Sequence, residues 1–367
     1  MDIQYPVYRP SLKGNELRYV TECIESTWIS SKGKYTDIFE KKFAGYTGAA
    51  YATSLCNGTV ALHVALLVLD IQPGDEVIVP TFTYIASVNA VKYVGATPVF
   101  VDSLPQTWQM DPADVELKIT GKTKAILAPH IYGHACEMDT LLEICRRYNL
   151  LLVEDCAEAI GSKYNNKFVG TFGDIAAFSF FGNKTITTGE GGMLVSNSKA
   201  LIDRAKKLKN QGLSDTEYWH DVIGYNYRMT NICAALGVAQ LERIDDIIAN
   251  KLRIASIYRD IFENTEIEFH GQADHVLNSY WMCSILVPSA KKRNELREFL
   301  GRCGIETRPL FPPVHSMPMY LKLAKGHFPV AADISSRGIN LPSYPDLSDD
   351  DVTYIAEQVV NFLKKDG

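Results

Sequence analysis

Long apolar runs are missing from these 367 residues, and no stretch is long and apolar enough to span a bilayer. The N-terminus, Met1-Asp2-Ile3-Gln4-Tyr5-Pro6, has no apolar signal core. An excess of positive charge is missing too. Lys and Arg total 37 against 43 Asp and Glu, a formal net charge of −6, so neither nucleic acid nor an anionic membrane is expected as a partner. The short basic runs at 204–209 and 291–293 read as solvated helix faces. The eight cysteines include no Cys-x-x-Cys pair, which in a chain of this length argues for reduced thiols in a cytoplasm over a disulfide framework. Internal repeats and low-complexity tracts are absent. So is Gly-x-Gly-x-x-Gly between an early strand and its helix, which argues against a dinucleotide fold, and no Gly-x-x-x-x-Gly-Lys-Ser/Thr loop occurs. His130 and His134 are four residues apart, but Tyr132-Gly133 between them reads as a loop. The expectation there is one hydrogen-bonding histidine, one exposed histidine and no metal.

What is present is a regular alternation. Helical patterns over 12–26, 35–46, 60–69, 85–94, 111–119 and 138–148 are interleaved with apolar strands at 76–80, 98–102, 124–129, 150–155 and 175–181. Such spacing predicts an α/β fold with a mostly parallel sheet covered on both faces. A long helical segment follows over 230–262. Beyond it, strand patterns at 280–287 and 305–311 and helices at 290–303 and 349–364 predict a smaller C-terminal α/β domain. The expected division is 1–245 and 246–367.

In parallel sheets, ligands gather beyond the carboxyl ends of the strands. Several predicted strand ends carry polar or aromatic residues: Tyr84, His130, Asp155, Ser179 and Lys184. The run 60–69 is apolar nearly all round and begins at Asn57-Gly58-Thr59. Such a start is more often a plain N-cap, with an anion site as the second reading. A lysine at a strand end is ordinarily a surface amine, and an acid there is ordinarily a cap. Together they meet a different demand. Pyridoxal phosphate (PLP) chemistry needs a lysine for the aldehyde, a carboxylate for the pyridinium nitrogen, phosphate donors and a ring to stack on. Lys184, Asp155, the trio Gly58, Thr59 and Ser179, and Tyr84 supply these in order along one sheet.

The motifs Trp28-Ile29-Ser30-Ser31, Asn57-Gly58-Thr59, Glu154-Asp155-Cys156-Ala157-Glu158, Ser179-Phe180-Phe181-Gly182-Asn183-Lys184, Gly189-Glu190-Gly191-Gly192, Asn226-Tyr227-Arg228-Met229-Thr230-Asn231 and Arg308-Pro309 extend this pattern. With them the chain resembles the sugar-nucleotide aminotransferases of the DegT type, a branch of the fold-type-I PLP enzymes, from Tyr5 to the last helix. The wording of its motifs is similar to the perosamine-forming branch. The resemblance implies that Lys184 carries the cofactor, Asp155 pairs with its ring nitrogen, Gly58, Thr59 and Ser179 bind its phosphate, and Tyr84 stacks on it. Glu158 stands against the ring where many relatives have glutamine or histidine. Asn231 would reach the phosphate of a neighbouring subunit, giving a homodimer, or a tetramer, with shared sites. Ser30, Arg308 and His315 would line the nucleotide-sugar pocket, although His315 reads equally as a structural histidine. The implied substrates are L-glutamate and GDP-4-keto-6-deoxymannose. Sugar 3-dehydratases of the same fold replace the lysine with histidine, so Lys184 weighs against that activity. The complete cofactor set weighs against a non-catalytic binding protein.

Overall fold

The computed structural model describes residues 3–364; Met1 and Asp2 of the N-terminal reading lie outside them. Among the described residues the central sheet has seven strands, ordered 51–55, 192–196, 175–179, 151–155, 123–129, 76–80, 97–101. Strand Gly192–Ser196 runs antiparallel to both of its neighbours, and the other pairings are parallel. The expected α/β architecture is therefore present. Helix Gly58–Val68 lies on one face and is buried almost all round, as its apolar surface requires. Helix Lys34–Thr47 covers the other face, where Phe39 and Phe43 pack against Phe178 and Phe180.

Four sequence expectations change. The first helix begins at Glu16 and not at 12. The segment 230–262 is two helices, Asn231–Leu241 and Ile244–Phe262. Arg243 leaves helical geometry between them, while the Glu242 side chain is held by Asn15, Tyr19 and Lys42. The strand expected over 305–311 is reduced to Arg308–Pro309 and an isolated bridge at Ile305; prolines at 309, 312 and 313 withdraw ladder donors. The apolar strand expected to reach 181 ends at Ser179.

A second, four-stranded antiparallel sheet holds 268–269, 283–286, 338–341 and 308–309. Its core includes Tyr258, Ile285, Leu300 and Ile355. Helix Ile244–Phe262 crosses the expected domain boundary: Ile244 and Ile247 belong to the core of the large sheet, Ile254 and Phe262 to that of the small one. Tyr5 also packs into the small core and bridges Ile305. Among the described residues no helix is long and apolar enough to cross a membrane.

Candidate active site

The carboxyl ends of five central strands open onto one cavity of about 470 Å³. Its walls come from the segments 57–62, 83–87, 129–131, 155–158 and 179–184, and from Trp281, Arg308 and Phe311 of the C-terminal part. Strand alternation explains the placement of Ser179. Phe178 and Phe180 point into the core against helix Lys34–Thr47, so Ser179 faces the opposite side. There it meets the start of helix Gly58–Val68. A Cβ on Gly58 would lie 2.7 Å from Ser179 Cβ, so only glycine admits this approach. The Asn57 side chain caps the helix by accepting from Val60 N at 2.9 Å. The N–H groups of Gly58 and Thr59 stay outside the helical ladder at the cavity wall. Gly192 makes a similar approach, since its Cβ would stand 2.4 Å from the carbonyl oxygen of Asn57.

Asp155 ends its strand with both oxygens in use. Oδ2 accepts from Ser87 Oγ at 2.7 Å and Oδ1 from Ala157 N at 3.1 Å. Burial raises its pKa, opposed by those hydrogen bonds and by the Lys184 charge. Lys184 is buried, and burial lowers the pKa of its amine while Glu158 and Asp155 oppose that shift. Its Nζ stands 3.8 Å from Glu158 Oε1 and 3.9 Å from the centre of the Trp281 ring. Burial also pushes Glu158 up to about 7. The Oε2 of Glu158 accepts from Tyr132 N at 2.9 Å.

His130, on the cavity floor, accepts from Cys136 N at Nδ1 (3.1 Å) and donates from Nε2 to Glu154 (3.2 Å). The oxygens of Glu154 also accept from the amides of Gly170, Phe172 and Gly173 at 2.7, 2.8 and 2.8 Å. His130, Glu154 and Cys156 lie close enough to suggest a metal cluster, but the carboxylate is committed to four donors and burial holds the Cys156 thiol well above its usual range. The cluster anchors the segment that presents Asp155.

The structure brings Lys184, Asp155, Glu158, Gly58, Thr59, Ser179, Tyr84 and Arg308 to this cavity. It does not bring the others. Asn231 is buried outside this chain's own cavity, its amide accepting from Tyr35 N at 2.9 Å and donating to Trp28 O at 2.7 Å. Ser30 is exposed away from the cavity, and its carbonyl accepts from Asn231 N. His315 bonds Thr81 Oγ1 at 2.6 Å and packs on Phe328, which is the structural alternative. Of the pair His130 and His134, one was expected to be exposed, but both are buried; in His134, Nδ1 donates to Ala135 O at 2.7 Å and Nε2 accepts from Ala273 N at 3.2 Å. Sequence reasoning missed Ser87, Trp281 and Phe311. Ser87 lies three residues past Tyr84, one turn into a helix whose start was visible. The two aromatics arrive from remote sequence and carried no local signal.

The geometry suits a phosphorylated aromatic aldehyde. A buried amine whose pKa is lowered faces a held carboxylate across the cavity, and a glycine-led helix start with a serine beside it lines one wall. A profile of the DegT/DnrJ/EryC1/StrS aminotransferase family matches residues 10–360. A GDP-perosamine synthase of Escherichia coli O157:H7 is 59% identical over 358 residues, which cover 97% of this chain and 98% of that protein. A Vibrio cholerae protein of the same name is 52% identical over 362 residues, 98% and 99% of the two chains. The PLP-form of Streptococcus pneumoniae Spr1654, a solved structure, superposes with a TM-score of 0.92 at 30% identity and covers 98% of both chains.

Proposed function

The chain belongs to the DegT/DnrJ/EryC1/StrS aminotransferase family, and from that premise we propose that it binds PLP and moves an amino group from L-glutamate to the C4 ketone of GDP-4-keto-6-deoxy-D-mannose, giving GDP-perosamine. The observation that carries the choice of sugar is the near-complete coverage at 59, 52 and 46% identity by three proteins named GDP-perosamine synthase.

When bound, PLP supplies an aldehyde that accepts the amino group and a ring that accepts electron density. Lys184 would hold the aldehyde carbon. Gly58, Thr59 and Ser179 would bind the phosphate, two of them with helix-start amides. Asp155 would keep the proton on the ring nitrogen; its own hydrogen bonds to Ser87 and Ala157 fix it for that contact. The lowered pKa of Lys184 would let its amine, once free, take up at Nζ the proton lost from the glutamate α-carbon and, in the second half of the transfer, deliver a proton to the sugar C4. Glu158 and Tyr84 would flank the ring, and Arg308 would face the substrate. The proposed assembly is a homodimer with shared sites.

Purified protein is expected to be yellow and to bleach with glutamate. Lys184→Ala is expected to fold, to keep its circular dichroism, and to lose turnover by several orders of magnitude. A colourless protein that takes up no PLP, or normal turnover in that variant, would overturn the assignment.

A further inference from the structure

Glu158, the carboxylate close to Lys184 Nζ, is 3.8 Å away, beyond hydrogen-bond range. The Trp281 ring centre, at 3.9 Å, is well within cation–π range. The indole is not free to drift. Its N–H donates to Asn183 O at 2.7 Å, on the residue before the lysine. Ring and amine are thus tied to one loop.

Tyr132 joins the two sides of this arrangement. It is fully buried and holds a left-handed backbone, φ 54° and ψ 21°. Its N–H fixes Glu158 Oε2 at 2.9 Å. Its ring lies parallel to Trp281, 11° off, with centroids 6.0 Å apart. Its hydroxyl accepts from Phe311 N at 3.1 Å. One residue in a costly conformation therefore positions both the carboxylate and the aromatic face that Lys184 meets.

We propose that Trp281 is a positioning residue whose indole face seats the free ε-ammonium of Lys184, with Glu158 as countercharge, whenever that amine is not joined to the cofactor. This rests on the reading of Lys184 as the cofactor lysine. A π face attracts the ammonium and not the neutral amine. The seat therefore opposes burial, which favours the neutral amine. It also keeps Nζ in one place while uncoupled, which shortens its search for the reacting carbon. Other ionisable groups share the cavity with Lys184, Glu190 on its wall among them. Asp155 adds a second negative charge. His130 is turned to Glu154. The Tyr8 hydroxyl touches only backbone oxygens, at 2.5 Å from Lys184 O. Arg308, the other lysine or arginine on the cavity wall, leans on Glu306 at 3.3 Å.

The test uses the full-length protein stripped of PLP. Acylation of Lys184 by an amine-selective reagent, read by peptide mass spectrometry across pH, gives the midpoint of the amine. Trp281→Leu is expected to lower that midpoint by about half to one and a half units. Trp281→Phe, which keeps a weaker aromatic face, should fall between and stands in if the leucine variant does not fold. Glu158→Gln should also lower the midpoint. Wild-type midpoints in both tryptophan variants, alongside a lowered one in Glu158→Gln, would overturn the seat and leave the indole as packing. Absorbance after adding PLP back separates the two readings. A wild-type protein that takes up no PLP removes the cofactor role, whereas the midpoints still decide whether the indole holds the ammonium.

Discussion

Glu158 gives the site a pH dependence whose sign is fixed by its environment. Free glutamate titrates near ~4.3, and burial holds Glu158 at about 7. Between those values the unfolded chain has lost its proton while the folded chain keeps it. The stability contributed by the protonated form is full below the unfolded value and is lost as pH rises through about 7. Thermal melts of the PLP-free protein at pH 5 and pH 8 are therefore expected to show the wild type losing more than Glu158→Gln over that interval. Parallel losses would contradict it. Gly58 makes a steric prediction. Gly58→Ala forces a Cβ to within 2.7 Å of Ser179, which is expected to cost about 1–3 kcal/mol in denaturant unfolding and to weaken PLP uptake. A variant as stable and as yellow as the wild type would show that the helix start has room to shift.

At the scale of elements, strands of the central sheet and the helices between them were legible because each side of the sheet demands apolar cover and the period changes at every junction. Lys184, Asp155 and Gly58 were legible for the same reason, since each sits at or within five residues of a strand's carboxyl end. The local settings of Asn231 and His315 were not legible because their partners, Tyr35 and Thr81, are 196 and 234 residues away. Trp281 and Tyr132 were missed because their roles arise only when the C-terminal part closes on the sheet. The junction of those parts carries its own prediction. His134 and His270 are buried, and burial lowers them to about 4 and about 3. His270 stacks on Trp108 at 4.1 Å and bonds Thr107 O, while His134 accepts from Ala273 N. These histidines are neutral when folded, so the unfolded segment gains protons first as pH falls. Their stability is present above about 6.5 and is lost below it, by up to about 1.4 kcal/mol per unit for each. Hydrogen exchange at Ala273 N–H, corrected for intrinsic rate, is expected to lose protection from pH 7 to pH 5. Unchanged protection would refute it.

At the scale of the whole molecule, one chain leaves large apolar side chains in water. Tyr218, Trp219 and Ile223 are 86, 64 and 90% exposed in the loop between helices Lys199–Lys209 and Asn231–Leu241, and Leu17, Ile24 and Trp28 are exposed on and after the first helix. Such exposure is what a subunit interface would cover, in keeping with the proposed homodimer. Sedimentation at micromolar concentration is expected to give twice the chain mass, and Ile223→Asp to shift it towards the monomer. A monomeric wild type with full activity would remove the shared-site proposal.

The most direct measurement is amino transfer from L-glutamate to a panel of 4-keto nucleotide sugars, with 2-oxoglutarate and the sugar product both quantified. Turnover is expected with GDP-4-keto-6-deoxymannose, giving a 4-amino product and one 2-oxoglutarate per amine formed, with UDP- and dTDP-linked ketones far slower. A 3-deoxy product, or preference for a UDP- or dTDP-linked ketone, would contradict it.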